Sequence, residues 1–295
     1  MSQKNPGVQR YLVAIEYIGT RFSGSQQQLN CRTVVGVLED AFKKFIGHPV
    51  SVFCFSRTDA GVHALSNVCH VDVERTSKRK PGEVLNPHEP FVVKRAVNHF
   101  LQIIMPDIEP LSERRYFYRL LSGPEPLSTF EKDRAWHVPQ DLDIFAMQKG
   151  CNILVGQHDF ISFRAAGCQA NSPIRTLDEF NVTVMVPSPY FPSFIDGREG
   201  NLGCDQVTDA INGSANFGFG IRKQHRCIVV TARARSFLCH QVRLLVGVLK
   251  AVGTGDLNCS DVARILDVKD VTKASRMVPA CSLYLGHVKY KLHDL

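Results

Sequence analysis

An arginine, a threonine, an aspartate, a glycine and a histidine share seven consecutive positions within Ser56-Arg57-Thr58-Asp59-Ala60-Gly61-Val62-His63-Ala64, the densest polar cluster of the chain. The segment follows directly on a β-rich stretch. A carboxylate at a strand end beside a guanidinium stays ionised and positioned. Gly61 allows positive φ or the close approach of a second backbone. The same residues also read as an Asx-turn, in which Asp59 hydrogen-bonds its own backbone and does no chemistry.

A second cluster runs from Arg233 to Arg243: Arg233-Ala234-Arg235-Ser236-Phe237-Leu238-Cys239-His240-Gln241-Val242-Arg243. Arg233 and Arg235 lie on one face of a strand, and Ser236 is placed to cap a helix from Phe237 to Val252. Its apolar stripe is Phe237, Leu244, Leu245, Val248 and Val252, while His240 and Arg243, three apart, share another side. Such a start can hold phosphate, or simply form a solvated face. A third cluster, Arg114-Arg115-Tyr116-Phe117-Tyr118-Arg119, alternates basic and aromatic residues. It suits base stacking and phosphate contact, as well as a cross-strand aromatic pair in a core. His158-Asp159-Phe160-Ile161-Ser162-Phe163-Arg164, with Arg175, adds similar chemistry.

A metal-dependent hydrolase using Asp59 and His63 would need further ligands, and none stands at useful spacing, so no metal site is expected. The ten cysteines include no Cys-x-x-Cys. They read as mostly buried thiols, not as a zinc finger or disulfide framework.

These residues need elements to position them. Tyr11 to Tyr17 reads as a strand, Val34, Leu38, Phe42 and Phe45 as a helical stripe behind Thr33, and Val50 to Phe55 as a second strand. Asn67 to Val73 alternates as a third strand, Phe91 to Leu101 is helical, and Ile108 lies in a short strand. The order restarts at Tyr116: strand 116–121, helix 142–154, strands 177–186 and 227–235, helix 237–252, and a final strand near Leu283 to Tyr290. Another helix lies near Asp261 to Leu266, behind Ser260. The pattern predicts an α+β protein of two ferredoxin-like (βαββαβ) halves, residues 1–111 and 112–295, with antiparallel sheets joined around a central basic cleft. Residues 187–226, rich in glycine and proline, read as a flexible insertion.

The 295 residues, 44% hydrophobic and 21% charged, exclude a disordered or fibrous chain. A net charge of +7 with 18 phenylalanines and 7 tyrosines suits a folded protein that meets an anionic partner. No apolar run is long enough to span a membrane. Met1 to Val8 has no apolar core, so secretion is not expected.

Read in order, the motifs resemble the tRNA pseudouridine synthase A family. Arg57-Thr58-Asp59-Ala60-Gly61-Val62-His63-Ala64 resembles its Gly-Arg-Thr-Asp-Ala-Gly-Val-His motif. Tyr17-x-Gly19 with Gly24-x-Gln26, Asn98, Arg115-Tyr116-x-Tyr118, Asp159-Phe160-x-Ser162-Phe163-Arg164, Ser236-Phe237-Leu238-x-His240-Gln241-Val242-Arg243 and Pro279-Ala280-x-x-Leu283-Tyr284-Leu285 match the companion motifs in order. Four positions depart from the pattern: Ser25 replaces an aromatic, Ile18 an aspartate, and Ser56 and Ser282 glycines. These departures point to a divergent branch.

The resemblance implies the pseudouridine synthase fold and isomerisation of uridine to pseudouridine in the anticodon stem-loop of tRNA, with neither metal nor organic cofactor. Asp59 would be the catalytic carboxylate, attacking the ribose or the base or otherwise assisting glycosidic cleavage. Tyr116 would pack on the target base, Arg243 would pair with Asp59, and Arg57 would hold the place of the flipped nucleotide. His63, Arg164, Arg233 and Leu283 complete the expected substrate-binding set. The family also implies a homodimer and a mitochondrial or cytoplasmic location. A catalytically silent RNA-binding protein of the same fold is the alternative, although binding alone does not require the carboxylate.

Overall fold

A computed structural model describes residues 8–77, 80, 83–101, 114–185, 225–274 and 276–288. Among them, nine strands form one largely antiparallel sheet, accompanied by five α-helices. β1 (Val8–Tyr17) pairs antiparallel with β3 (His63–Glu74), and β2 (Val52–Cys54) pairs with the far end of β3. β4 (Arg114–Ser122) lies between β8 (Arg226–Ala234) and β9 (Leu283–Val288), antiparallel to both. β7 (Ile174–Met185) and β6 (Gly156–Asp159) continue the sheet beyond β8, while β5 (Trp136–Val138) runs parallel to the end of β4.

The two groups of strands meet where β3 pairs parallel with β9, through His63↔Tyr284 and Ala64↔Leu285. Here the structure corrects the sequence expectation: β3 starts at His63 rather than Asn67, because β9, and β1 through Tyr17↔Ala64, supply partners that no local pattern announces. β5 and β6 were also not expected. Their sequences, Trp-His-Val and Gly-Gln-His-Asp, are too short to carry a strand pattern of their own and owe their extended form to β4 and β7.

The helices follow the predicted periodicity. α1 (Val34–Ile46) is capped by Thr33 and ends at Gly47, whose left-handed φ of 96° stops the helix. α2 (Pro90–Leu101) starts on a proline, which needs no N–H partner there. α3 (Ile144–Leu154) is capped by Asp143. α5 (Cys259–Val268) is capped by Asn258, with Asp261 completing a capping box, and not by the expected Ser260. α4 (Gln241–Gly253) starts four residues later than expected. α1 packs on α2, while α3 packs on β7, α4 and α5.

One apolar cluster runs through both strand groups, with Phe42, Tyr118, Phe160, Phe163, Leu245 and Leu249 fully buried. The cysteines differ from expectation. Cys54 and Cys69 face each other across β2 and β3 and are joined as a disulfide, and Cys31 and Cys239 are exposed. The expected strand at Ile108 and most of the 187–226 insertion lie outside the described residues.

Gly286 of β9 leaves no room for a side chain: a Cβ would lie 2.5 Å from the Phe117 ring and 3.0 Å from the Arg115 carbonyl oxygen. Gly286→Ala is therefore expected to destabilise the protein by about 1–3 kcal/mol, seen as a lower denaturant midpoint at unchanged m-value.

Candidate active site

Asp59 sits in the loop between β2 and β3, which the protein holds from three sides. From the first, Ser25 N–H donates to the Thr58 carbonyl (3.1 Å), while Thr58 N–H donates to Ser25 Oγ (2.9 Å). Gly24 has φ 103°, and a Cβ there would lie 3.0 Å from the Thr58 carbonyl oxygen. From the second, Tyr17 Oη and Thr58 Oγ1 share a 2.7 Å hydrogen bond, and Asn67 Nδ2 donates to both Tyr17 Oη and the Ser56 carbonyl. Burial raises the pKa of the Tyr17 phenol, so it stays neutral and able to donate. A register shift in β1 between Ile15 and Tyr17 accompanies this inward aim. From the third, Arg114 donates to Ser56 Oγ (3.0 Å) and the Phe55 carbonyl (3.1 Å).

Behind this loop runs the segment that leads into β9. Its carbonyls accept from three side chains of separate elements: Val278 from Arg243 Nε (2.7 Å), Pro279 from Tyr118 Oη (2.9 Å), and Cys281 from His63 Nε2 (2.9 Å). His63 Nδ1 accepts from Gly19 N–H at 3.2 Å, and its ring stacks on Tyr284. Both ring nitrogens are used and the ring is buried, so His63 binds the loop to β9. Leu283 is likewise buried, paired with Tyr118 in the sheet.

Asp59 is half-exposed, and its Oδ2 lies 3.2 Å from His240 Nε2. The expected helix start at Phe237 fails at this histidine, which adopts φ 61°, ψ 8°. A left-handed residue cannot continue a right-handed helix and costs about 1–2 kcal/mol when it carries a Cβ. Neighbouring bonds hold the turn. Leu238 N–H donates to Gln241 Oε1 (2.8 Å), Gln241 N–H to the Leu238 carbonyl (3.1 Å), and Ala165 N–H to the Cys239 carbonyl (3.1 Å). The strained backbone thereby aims the imidazole at the carboxylate.

The structure brings several other expected residues to this place. Arg243 is largely buried one turn into α4. Burial pushes its pKa down while the Asp59 charge pulls it up, so the two interact electrostatically, although the side chain in direct contact with Asp59 is His240. Arg164 follows the 3-10 turn Ile161–Phe163, next to the residue bonded to Cys239, with its buried Nε unpartnered. Tyr116 packs edge-on against Phe237, with centroids 5.2 Å apart, and pairs with Leu285, which also pairs with Ala64. Arg57 is exposed. Arg233 is placed differently: it shares Glu179 with Arg115, at 3.1 Å and 3.0 Å, in a charge cluster across β4, β7 and β8. A candidate cation site is also present, since the ligand atoms of Asp59, Cys239 and His240 lie within 4.8 Å of one another.

Sequence reasoning did not single out Asn67 or Arg114 as supports of the loop, nor the hydroxyls of Ser25 and Ser56. The available signal was a polar residue, Asn67, inside an otherwise apolar strand; such a group requires partners when buried.

The chain matches the family model described as tRNA pseudouridine synthase over residues 13–100 and 151–291. Relatives named tRNA pseudouridine synthase A include the protein of Methylobacterium sp. (strain 4-46), 36% identical with 95% of this chain and 97% of the relative covered. That of Xanthobacter autotrophicus is 37% identical over 95% and 99%. That of Rhodospirillum centenum is 36% identical over 96% and 100%.

Removing the Ser25 hydroxyl strands the buried Thr58 N–H, so Ser25→Ala is expected to cost about 1–3 kcal/mol in a denaturant titration. Burial, opposed by the Cys281 carbonyl, pushes the His63 pKa below its ordinary 6.5. The unfolded chain then binds more protons, and stability that is full above pH 6.5 is lost as pH falls below that value. Unfolding free energy measured against pH should fall less steeply on the acid side in His63→Gln than in the wild type.

Proposed function

The chain belongs to the tRNA pseudouridine synthase family, and from that premise we propose that it isomerises uridine to pseudouridine in the anticodon stem-loop of tRNA, with Asp59 as the catalytic carboxylate. The observation that carries this reading is the placement of Asp59: half-exposed, on a loop otherwise fixed by buried hydrogen bonds, 3.2 Å from an aimed imidazole. A carboxylate needed only for structure would spend its oxygens inside that lattice.

The reaction breaks the N1–C1′ bond, turns the base and rejoins it through C5. An ionised carboxylate suits transient covalent attack on the ribose or base, or assistance to glycosidic cleavage. His240, 3.2 Å away, holds its direction, and Arg243 places a positive charge nearby. Tyr116, braced by Phe237, packs on the target base and helps remove the C5 proton. Exposed Arg57 occupies the place of the flipped nucleotide, whose extrusion costs a few kcal/mol of stacking. Arg164 belongs to the same reading, with its buried Nε a donor still to be matched. Arg233 contributes through the Glu179 cluster and the general Lys and Arg excess that attracts the phosphate backbone.

The architecture extends the proposal. Residues 1–111 and 112–295 form two ferredoxin-like halves joined around the basic cleft, with an insertion at about 187–226. In support, β1, β2 and β3 with α1 and α2 lie on one side of the β3–β9 seam, while β4, β7 and β8 with α3 and α4 lie on the other. Among the described residues, no helix is long and apolar enough to cross a membrane.

Asp59→Asn is expected to abolish pseudouridine formation on unmodified tRNA transcripts, read by chemical-adduct primer extension in EDTA. Its tRNA affinity should stay within a few-fold of wild type, because phosphate contacts dominate binding. Tight tRNA binding by a wild-type protein that forms no pseudouridine would identify a silent binder instead.

A further inference from the structure

Cys239 stands at the open position of Ser236-Phe237-Leu238-x-His240, where the proposed chemistry requires no thiol. The fold nevertheless places it at the reacting carboxylate. Its Sγ, a carboxylate oxygen of Asp59 and a ring nitrogen of His240 all lie within 4.8 Å of one another. Cys239 is exposed, so an ion can reach it from solvent.

This donor set is selective. Oxygen, nitrogen and sulfur together suit zinc-class cations, whereas magnesium takes oxygen ligands and keeps its waters. Tetrahedral zinc bonds of about 2.0–2.3 Å place ligand atoms about 3.3–3.8 Å apart. The Asp59–His240 separation of 3.2 Å falls just short of this spacing, and with all three ligand atoms within 4.8 Å of one another the thiol needs only a rotamer-scale approach. Positive charge from Arg243 opposes a weakly coordinated cation, so coordination strength, not charge, must supply the affinity.

We infer that Asp59, Cys239 and His240 form an inhibitory binding site for zinc-class divalent cations, occupied in competition with catalysis. On binding, the Cys239 thiol loses its proton to solvent, and His240 ligates through the Nε2 lone pair with its proton on Nδ1. Asp59 supplies a carboxylate oxygen, and water completes the tetrahedron. The ion takes the carboxylate that would meet the nucleotide, so the bound enzyme does not turn over. The site rests on geometry alone; its effect on turnover rests on the catalytic reading of Asp59.

The test uses the full chain, stripped with EDTA and then assayed in excess Mg2+. Co2+ reports ligation through a thiolate charge-transfer band, and Zn2+ affinity follows from competition with a chromophoric chelator. Pseudouridine formation is measured at the same free zinc. Wild type should bind one ion per chain and lose activity in proportion to occupancy, with recovery on adding EDTA. Since loss of an outer-shell partner alone weakens metal sites about 10–100-fold, Cys239→Ser should weaken zinc binding by more than tenfold and raise the inhibitory zinc concentration equally. Its activity without zinc should match wild type. Absence of stoichiometric binding, or a Co2+ band unchanged in Cys239→Ser, overturns the site. Binding through Cys239 that leaves turnover untouched upholds the site but overturns the inhibition and the catalytic placement of Asp59.

Discussion

Three carbonyls in the short stretch before β9 accept hydrogen bonds from β4, α4 and β3: Pro279 from Tyr118, Val278 from Arg243, and Cys281 from His63. Buried donors left unmatched cost about 1–3 kcal/mol each, so this stretch can occupy few positions without penalty. Its fixed place lets β9 pair with β3 and β4 together, which aligns the Asp59 loop with Tyr116. The remaining hydrogen bonds of the loop refine an arrangement that this constraint establishes.

The carboxylate works against that rigid background. The bonds around Ser25, Thr58, Tyr17 and Asn67 restrain the backbone leading into Asp59, Gly61 N–H donates to the Phe22 carbonyl just after it, and the Asp59 side chain is left outside the lattice. His240 meets it from a backbone conformation that is itself unfavourable, so part of the folding free energy is stored in aiming one imidazole. Ser25 and Ser56 take the positions where the family pattern has an aromatic and a glycine. Their hydroxyls are buried acceptors within the lattice, so these departures rebuild the wall of the loop without altering what it presents.

Much of this was legible in the sequence because it is local. The stripes of α1 and α2, the Thr33 cap, the alternation of β1 and β4, and the polar density around Asp59 all depend on neighbours within a few residues. The start of β3, the pairing of β9 and the extended form of β6 depend on strands far away in the chain. The turn at His240 was hidden differently: its residues have helical periodicity, and a side-chain acceptor from Gln241 diverts the Leu238 N–H. The Asp59–Cys239–His240 cluster was invisible for the same reason as the β3–β9 pairing. Metal-ligand spacing in sequence detects only ligands from one segment.

The β3–β9 pairing has a consequence for how the molecule is made. Ribosomes deliver His63 and Ala64 more than 200 residues before Tyr284 and Leu285. The Asp59 loop therefore waits while those intervening residues are made, with one flank of its strand unpaired, and closing so long a loop is slow. Assembly of the site is tied to the synthesis of β9. A nascent or prematurely terminated product can carry every residue of the Asp59 loop and still lack the strand that sets it in place, so its unpaired edge becomes a handle for quality control rather than an enzyme.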